Sequence, residues 1–179
     1  MRVPVGTSEM RQQLVALLPR MRRFALVLTR SSDAADDLVQ GAVTRALERQ
    51  SQWIEGSRLD LWLFQIIKSV WLNGLKSASV RRTESLEGQE DTLSTDGSAA
   101  MEARITLDEV RAAFGRLPAD QQRALLLVSV EGYSYKEAAA ILDLPIGTVI
   151  SRLARGRAAL ADRLSPSTSN VTILRRERI

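Results

Sequence analysis

The chain reads as an all-α protein: two small helical domains joined by a flexible acidic linker, the C-terminal one a four-helix domain with a helix-turn-helix. Three observations lead there. Apolar residues recur at three- and four-residue steps through most of residues 14–71 and again through 105–164. No alternating apolar and polar run bounded by turn residues marks a strand. Between about residues 77 and 103 the periodicity lapses and Ser, Thr, Gly, Glu and Asp take over, the composition of a spacer that cannot bury a core.

Leu14, Leu17, Leu18, Met21, Phe24, Ala25 and Leu28 share one face of a first helix that ends near residues 29–32. A second helix opens at a cap drawn from Ser31, Ser32 and Asp33, and its early acids suit the positive end of a helix. It runs to about Gln50. Ala35, Leu38, Val39, Ala42, Val43 and Ala46 form its apolar side, while Asp33, Asp36, Asp37, Gln40 and Thr44 form a polar stripe. After a Glu55-Gly56-Ser57 break, a third helix turns Leu63, Ile66, Ile67, Val70 and Trp71 inward and Gln65, Lys68, Ser69, Asn73 and Lys76 outward. Beyond the linker, Ile105, Leu107, Val110, Ala113, Phe114 and Leu117 mark a helix stopped by Pro118, where the next one begins. Helices over about 121–130, 134–142 and 146–164 complete the second unit, with turns at Glu131-Gly132 and Asp143-Leu144-Pro145. The expected division is therefore a first domain over 1–80, a linker over 81–104, a second domain over 105–165 and a disordered basic tail over 166–179.

Composition narrows the function. The 179 residues include no cysteine, hence no disulfide framework and no thiolate metal site. They include no histidine either, which removes the commonest general base and the usual zinc ligand. No catalytic residue, metal or cofactor is expected. The charge is +4, but unevenly spread, with two basic blocks flanking an acidic segment over 84–104. All 25 cations except Lys68, Lys76 and Lys136 are arginine, the side chain suited to forked contacts with phosphate and guanine, although GC-rich coding produces the same excess. No stretch approaches the ~20 apolar residues of a membrane span, and the first residues lack the apolar run of a signal peptide, so a cytoplasmic protein without membrane insertion is expected.

The segment GYSYKEAAAILDLPIGTVISRLARGRAAL has the pattern of a DNA-reading helix-turn-helix. A short helix with small residues at 138–140 permits close packing, a tight turn follows, and a longer helix carries arginines away from its apolar seam. At 100° per residue, Val149, Leu153, Leu160 and Leu164 form that seam, while Thr148, Ser151, Arg152 and Arg155 lie on the opposite arc. Hydroxyl and guanidinium groups there suit base edges and phosphates in a major groove; an ordinary helical hairpin with a solvated arginine face has the same pattern. Ser134 reads as a helix cap, and the amides it precedes, with Tyr135 and Lys136, suit a phosphate as well.

These residues carry a resemblance to a known family. The run LPADQQRALLLVSVEGYSYKEAAAILDLPIGTVISRLARGRAAL resembles the fourth, promoter-reading domain of extracytoplasmic-function sigma factors, and DAADDLVQGAVTRALER resembles the polymerase-binding helix of their second domain. With WLFQIIKSV, the resemblance spans nearly the whole chain apart from the linker and the ends. It implies a factor that binds RNA polymerase core, through the beta-prime coiled coil and the beta flap, and directs it to promoter DNA under the control of an anti-sigma factor. By the same resemblance, Asp36, Asp37, Leu38 and Gln40 meet the coiled coil. Thr148, Ser151, Arg152, Ala154, Arg155 and Arg157, with Ser134 and Lys136, meet the minus-thirty-five element; Ile150 stands where the family commonly has a basic residue. Trp53, Trp62, Lys68, Ser69, Asn73 and Lys76 meet the single-stranded minus-ten element, with Ser69 where asparagine is common. The acidic linker corresponds to the segment that threads the polymerase cleft.

For Trp62 and Trp71, leucines at helical spacing favour packing over base stacking. Two rival functions stay open at this point: a dimeric helix-turn-helix regulator, which leaves the acidic stripe without a role, and a sigma-mimicking interaction protein, which leaves Ser151 and Arg155 without one.

Overall fold

The computed structural model describes residues 5–82 and 106–164. Among them are seven α-helices and no strand. The tail over 166–179 and all of the expected linker except Arg81 and Arg82 lie outside the described residues.

The first helix, α1 (Val5–Thr29), starts well before its apolar pattern becomes legible. It buries Met10 in addition to Leu14, Met21, Phe24, Ala25 and Leu28. Pro19 sits inside it without ending it. The proline removes one hydrogen bond to the carbonyl four residues back, but Val15 and Pro19 are both exposed, so the loss falls on the solvent side of the helix. Ser31 accepts a hydrogen bond from the Ala34 amide and caps α2 (Ser32–Glu48), which buries Ala35, Leu38, Ala42 and Ala46. A single 3₁₀ turn over Gln50–Gln52 and a left-handed Gly56 lead to α3 (Leu59–Arg82), longer than its pattern suggests because it continues through the start of the expected linker. These three helices pack mutually into a bundle.

The second unit opens with α4 (Leu107–Gly115), held by a reciprocal capping box between Thr106 and Glu109. The α5 helix (Ala119–Leu125) then widens into a π turn over Leu126–Val130, so that the Glu131 amide donates to the Leu126 carbonyl at 2.9 Å. Gln122 is buried and places its amide nitrogen 2.9 Å from each of the Phe114, Gly115 and Leu117 carbonyls at the exit from α4, where the Phe114 carbonyl also accepts from the Leu117 amide at 3.1 Å. The last two helices are α6 (Tyr135–Leu142) and α7 (Ile146–Leu164).

The two units are not separate bodies in this structure. Leu126, Leu127, Tyr133, Ala138, Ala139, Ile141 and Val149 join the same apolar cluster as Phe24, Phe64 and Ile67. Helix α5 lies on α1 and α6 lies on α3. A small separate cluster of Leu117, Leu125 and Leu153 holds α4, α5 and α7 together. No helix among the described residues is long and apolar enough to cross a membrane.

Candidate functional site

The helix-turn-helix is built by local chemistry. Ser134 accepts a hydrogen bond from the Glu137 amide at 3.2 Å, and the Glu137 carboxylate accepts from the Ser134 amide and hydroxyl at 2.8 Å each. The backbone and hydroxyl donors of Ser134 hold the Glu137 carboxyl below its ordinary pKa. Since Ser134 is consumed in this box, Tyr135 and Lys136 are the exposed side chains left uncommitted to the cap at the α6 N-terminus. Asp143 closes α6 in the left-handed region at φ 56°, a conformation that short polar side chains tolerate, and the chain turns directly into α7.

Helix α7 buries Val149 and Leu153 completely or nearly so, and half-buries Leu160 and Leu164, as the periodicity predicts. Gly156 completes the seam: a Cβ there would stand 2.7 Å from Leu125 Cδ1 and 3.3 Å from Gln121 Cβ, so the glycine lets α7 approach α5. Away from the seam, Ser151, Ala154 and Arg155 are exposed and Thr148 is half-buried, while Arg157 is exposed at the edge of the seam. Ser151 donates its hydroxyl to the Thr148 carbonyl at 3.0 Å, which leaves its lone pairs outward. Arg155 Nε contacts the Ser151 carbonyl at 3.3 Å and Arg157 reaches Ser129 Oγ at 3.4 Å. Arg152 is different: it is half-buried and its Nε lies 3.1 Å from an Asp120 carboxylate oxygen, tying α7 to α5.

On α3, Lys68, Ser69, Asn73 and Lys76 do fall on one face, and they line a cleft of about 300 Å³. Its far wall is Ala140, Ile141 and Asp143 of α6. Lys68 reaches an Asp143 carboxylate oxygen at 3.7 Å. The three tryptophans are all half-buried against the core. Trp71 stacks under the Arg123 guanidinium, 4.8 Å from the ring centroid, and the Trp53 indole nitrogen is buried without a hydrogen-bond partner.

On α2, Asp37 and Gln40 are exposed, Leu38 points into the core, and Asp36 is already engaged. Arg22 donates to both Asp36 oxygens, at 2.6 and 3.2 Å, and this pairing lowers the Asp36 pKa. Beside the pair runs a groove of about 740 Å³ between α1 and α2, floored by Leu18, Pro19, Val39 and Val43.

A cluster that sequence reasoning missed joins the two units. The Glu131 carboxylate, with only 1% of its side chain exposed, accepts from Arg20 Nε at 2.6 Å and from Arg23 Nε at 2.8 Å. Tyr133 is buried against Phe64 with the Arg20 and Arg58 guanidinium groups 5.2 and 5.8 Å from its ring centroid. Arg58 bridges Asp60 and Glu137, each at 2.8 Å. Burial pushes the Asp60 carboxyl upward, yet the Arg58 hydrogen bonds and other donors outweigh it and hold the group ionised below its ordinary pKa. Burial, then the Asp60 charge, keeps the Tyr133 phenol protonated. The ion pairs that join the two units, Arg20–Glu131, Arg23–Glu131 and Arg58–Glu137, link residues 111, 108 and 79 apart along the chain, and no local pattern announces them.

Comparison with known proteins gives this geometry its context. A family model described as sigma-70 region 4 matches residues 107–160, and one described as the sigma2 domain of PhyR matches residues 14–68. The ECF RNA polymerase sigma factor EcfG of Rhodopseudomonas palustris is 36% identical over 156 residues, which cover 87% of this chain and 84% of that protein. SigM of Mycobacterium tuberculosis is 33% identical, covering 87% and 77%. The sigma factor RpoE from Bartonella quintana, solved in complex with the anti-sigma factor NepR, superposes with a TM-score of 0.71 at 30% identity, over 89% of this chain and 98% of that one. At 20% identity, the PhyRSL–NepR complex from Sphingomonas sp. Fr1 shares the fold, with a TM-score of 0.63 over 94% of each chain. A chain with both halves of this match, in this order, belongs to the extracytoplasmic-function (ECF) family of RNA polymerase sigma factors.

Proposed function

We propose that the chain divides promoter recognition between its two units. Residues 1–80 bind RNA polymerase core and the minus-ten element, residues 105–165 read the minus-thirty-five element, and residues 81–104 connect them inside the polymerase. The observation that carries this reading is the face of α7 turned away from its buried seam, where Ser151, Ala154 and Arg155 are exposed and Ser151 and Arg155 hydrogen-bond only to their own helix backbone. Arginines in such a position bind phosphate and base edges, while the seam fixes the helix on its scaffold. The exposed Asp37 and Gln40, beside the apolar groove between α1 and α2, suit a basic, partly apolar helical partner such as the beta-prime coiled coil.

The role is one of binding, with no reaction of its own, in the cytoplasm where polymerase meets promoters. An anti-sigma factor restrains it, as NepR is found bound to the Bartonella quintana relative. Two modest DNA sites act together because both ride on one polymerase, which raises their effective concentration. The test is transcription in vitro: core polymerase with the purified chain starts at a restricted set of promoters. A mixture that neither binds core nor initiates would overturn the reading.

A further inference from the structure

The recognition helix carries two exposed rows, and only one is polar. Ser151 and Arg155 form the polar row. Beside it, at i, i+4 and i+8, stand Ile146, Ile150 and Ala154, with the two isoleucines 45% and 44% exposed and the alanine exposed as well. A single exposed isoleucine is unremarkable on any protein surface. Two in one row, in the first two turns of the helix and flanking its packed seam, form an apolar ridge with nearly half of each isoleucine left to water.

The neighbours of this ridge point to its occupant. Arg157 stands in the same arc two turns on, and Ser151 and Arg155 border the row on its polar side, so the surface as a whole suits duplex DNA rather than an apolar partner. Within a major groove, the apolar feature of a base edge is the 5-methyl group of thymine. Neither Ile150 nor Ala154 has a donor for guanine or an acceptor for cytosine. We infer that Ile150, flanked by Ile146 and Ala154, is a specificity-determining residue that selects thymine in the minus-thirty-five element by burying its methyl group. This inference rests on the promoter-reading role proposed above.

The experiment begins with the minus-thirty-five duplex recovered by selection with the holoenzyme. That duplex is resynthesised with deoxyuracil replacing each thymine in turn, which deletes the methyl and leaves base pairing intact. Burial of one methyl corresponds to about fourfold in affinity. Holoenzyme containing the unaltered chain is expected to lose about that factor at one or two positions, and holoenzyme containing Ile150→Ala to lose the distinction between thymine and uracil at those same positions. Ile150→Lys should also abolish it while making binding more steeply salt-dependent. The exposure of Ile150 makes both variants compatible with folding, which circular dichroism verifies.

Equal affinity for thymine and uracil at every position, with selective binding intact, overturns the methyl readout and leaves the promoter-reading role standing. A selected element with no A·T pair does the same. Failure of the holoenzyme to select any sequence overturns both.

Discussion

Gly156 sets how closely α7 approaches α5. An alanine there gains helix propensity but presses on Leu125, which is buried and cannot swing aside, and on Gln121. Gly156→Ala should therefore destabilise the protein by about 1 kcal/mol, overpacking outweighing propensity. Gly147→Ala, where a Cβ meets nothing within 4 Å, should instead stabilise by roughly 0.5 kcal/mol. Urea midpoints for the two variants would decide between this account and one in which both glycines are passive. Arg155 belongs to the same scale. If it pairs with a base, Arg155→Ala should cost ~1–3 kcal/mol on the selected minus-thirty-five element and much less on scrambled DNA. Equal losses on both would reduce it to a phosphate contact. Its neighbour Arg152 has a different task in this conformation, since Asp120 already occupies its guanidinium.

Elements in this fold are bounded by side chains acting on their own backbone. The Ser134–Glu137 box starts α6, Thr106–Glu109 starts α4, and Gln122 satisfies the carbonyls at the end of α4. Ser134→Ala should remove about 1 kcal/mol and speed amide exchange in the first turn of α6. Unchanged exchange would mean that packing on α3 holds the helix without its cap. Gln122→Glu is expected to be worse than Gln122→Ala in thermal unfolding, because a carboxylate facing three carbonyl oxygens at the same place can only repel them.

At the scale of the molecule, the contact between the two units is both apolar and ionic, and its ionic part is buried at Glu131. Glu131→Ala leaves Arg20 and Arg23 without their carboxylate. It should cost about 3 kcal/mol, the low end for a broken buried pair because both arginines are partly in water. Small-angle scattering should show an expanded chain, and probes on α3 should find the Lys68–Lys76 face more accessible, since α6 now forms one wall of its cleft. An unchanged radius would show that the shared apolar core suffices.

Acid acts on the same contact. The folded state lowers the Asp60 pKa, so its contribution is complete above the ordinary value of 3.8 and is lost as pH falls through the lower folded value. Wild type should lose more stability on acidification across that window than Asp60→Asn, as urea unfolding at several pH values would record.

The helices, the caps at the start of α2 and α6 and the seam of α7 were legible in the chain because each depends on residues within a turn or two of one another. Ser31 and Ser134 cap where short polar residues precede apolar periodicity, and Val149 and Leu153 are buried where a 3.6-residue repeat puts them. What tertiary structure alone decided is which polar groups are already spoken for: Arg22 on Asp36, Asp143 on Lys68, Asp120 on Arg152, and Arg20 with Arg23 on Glu131. A charged side chain looks alike in sequence whether it awaits a partner or has one. Only the packing of the helices brings these partners within ion-pair distance, and at Glu131 it also removes most of the water that would otherwise screen the carboxylate.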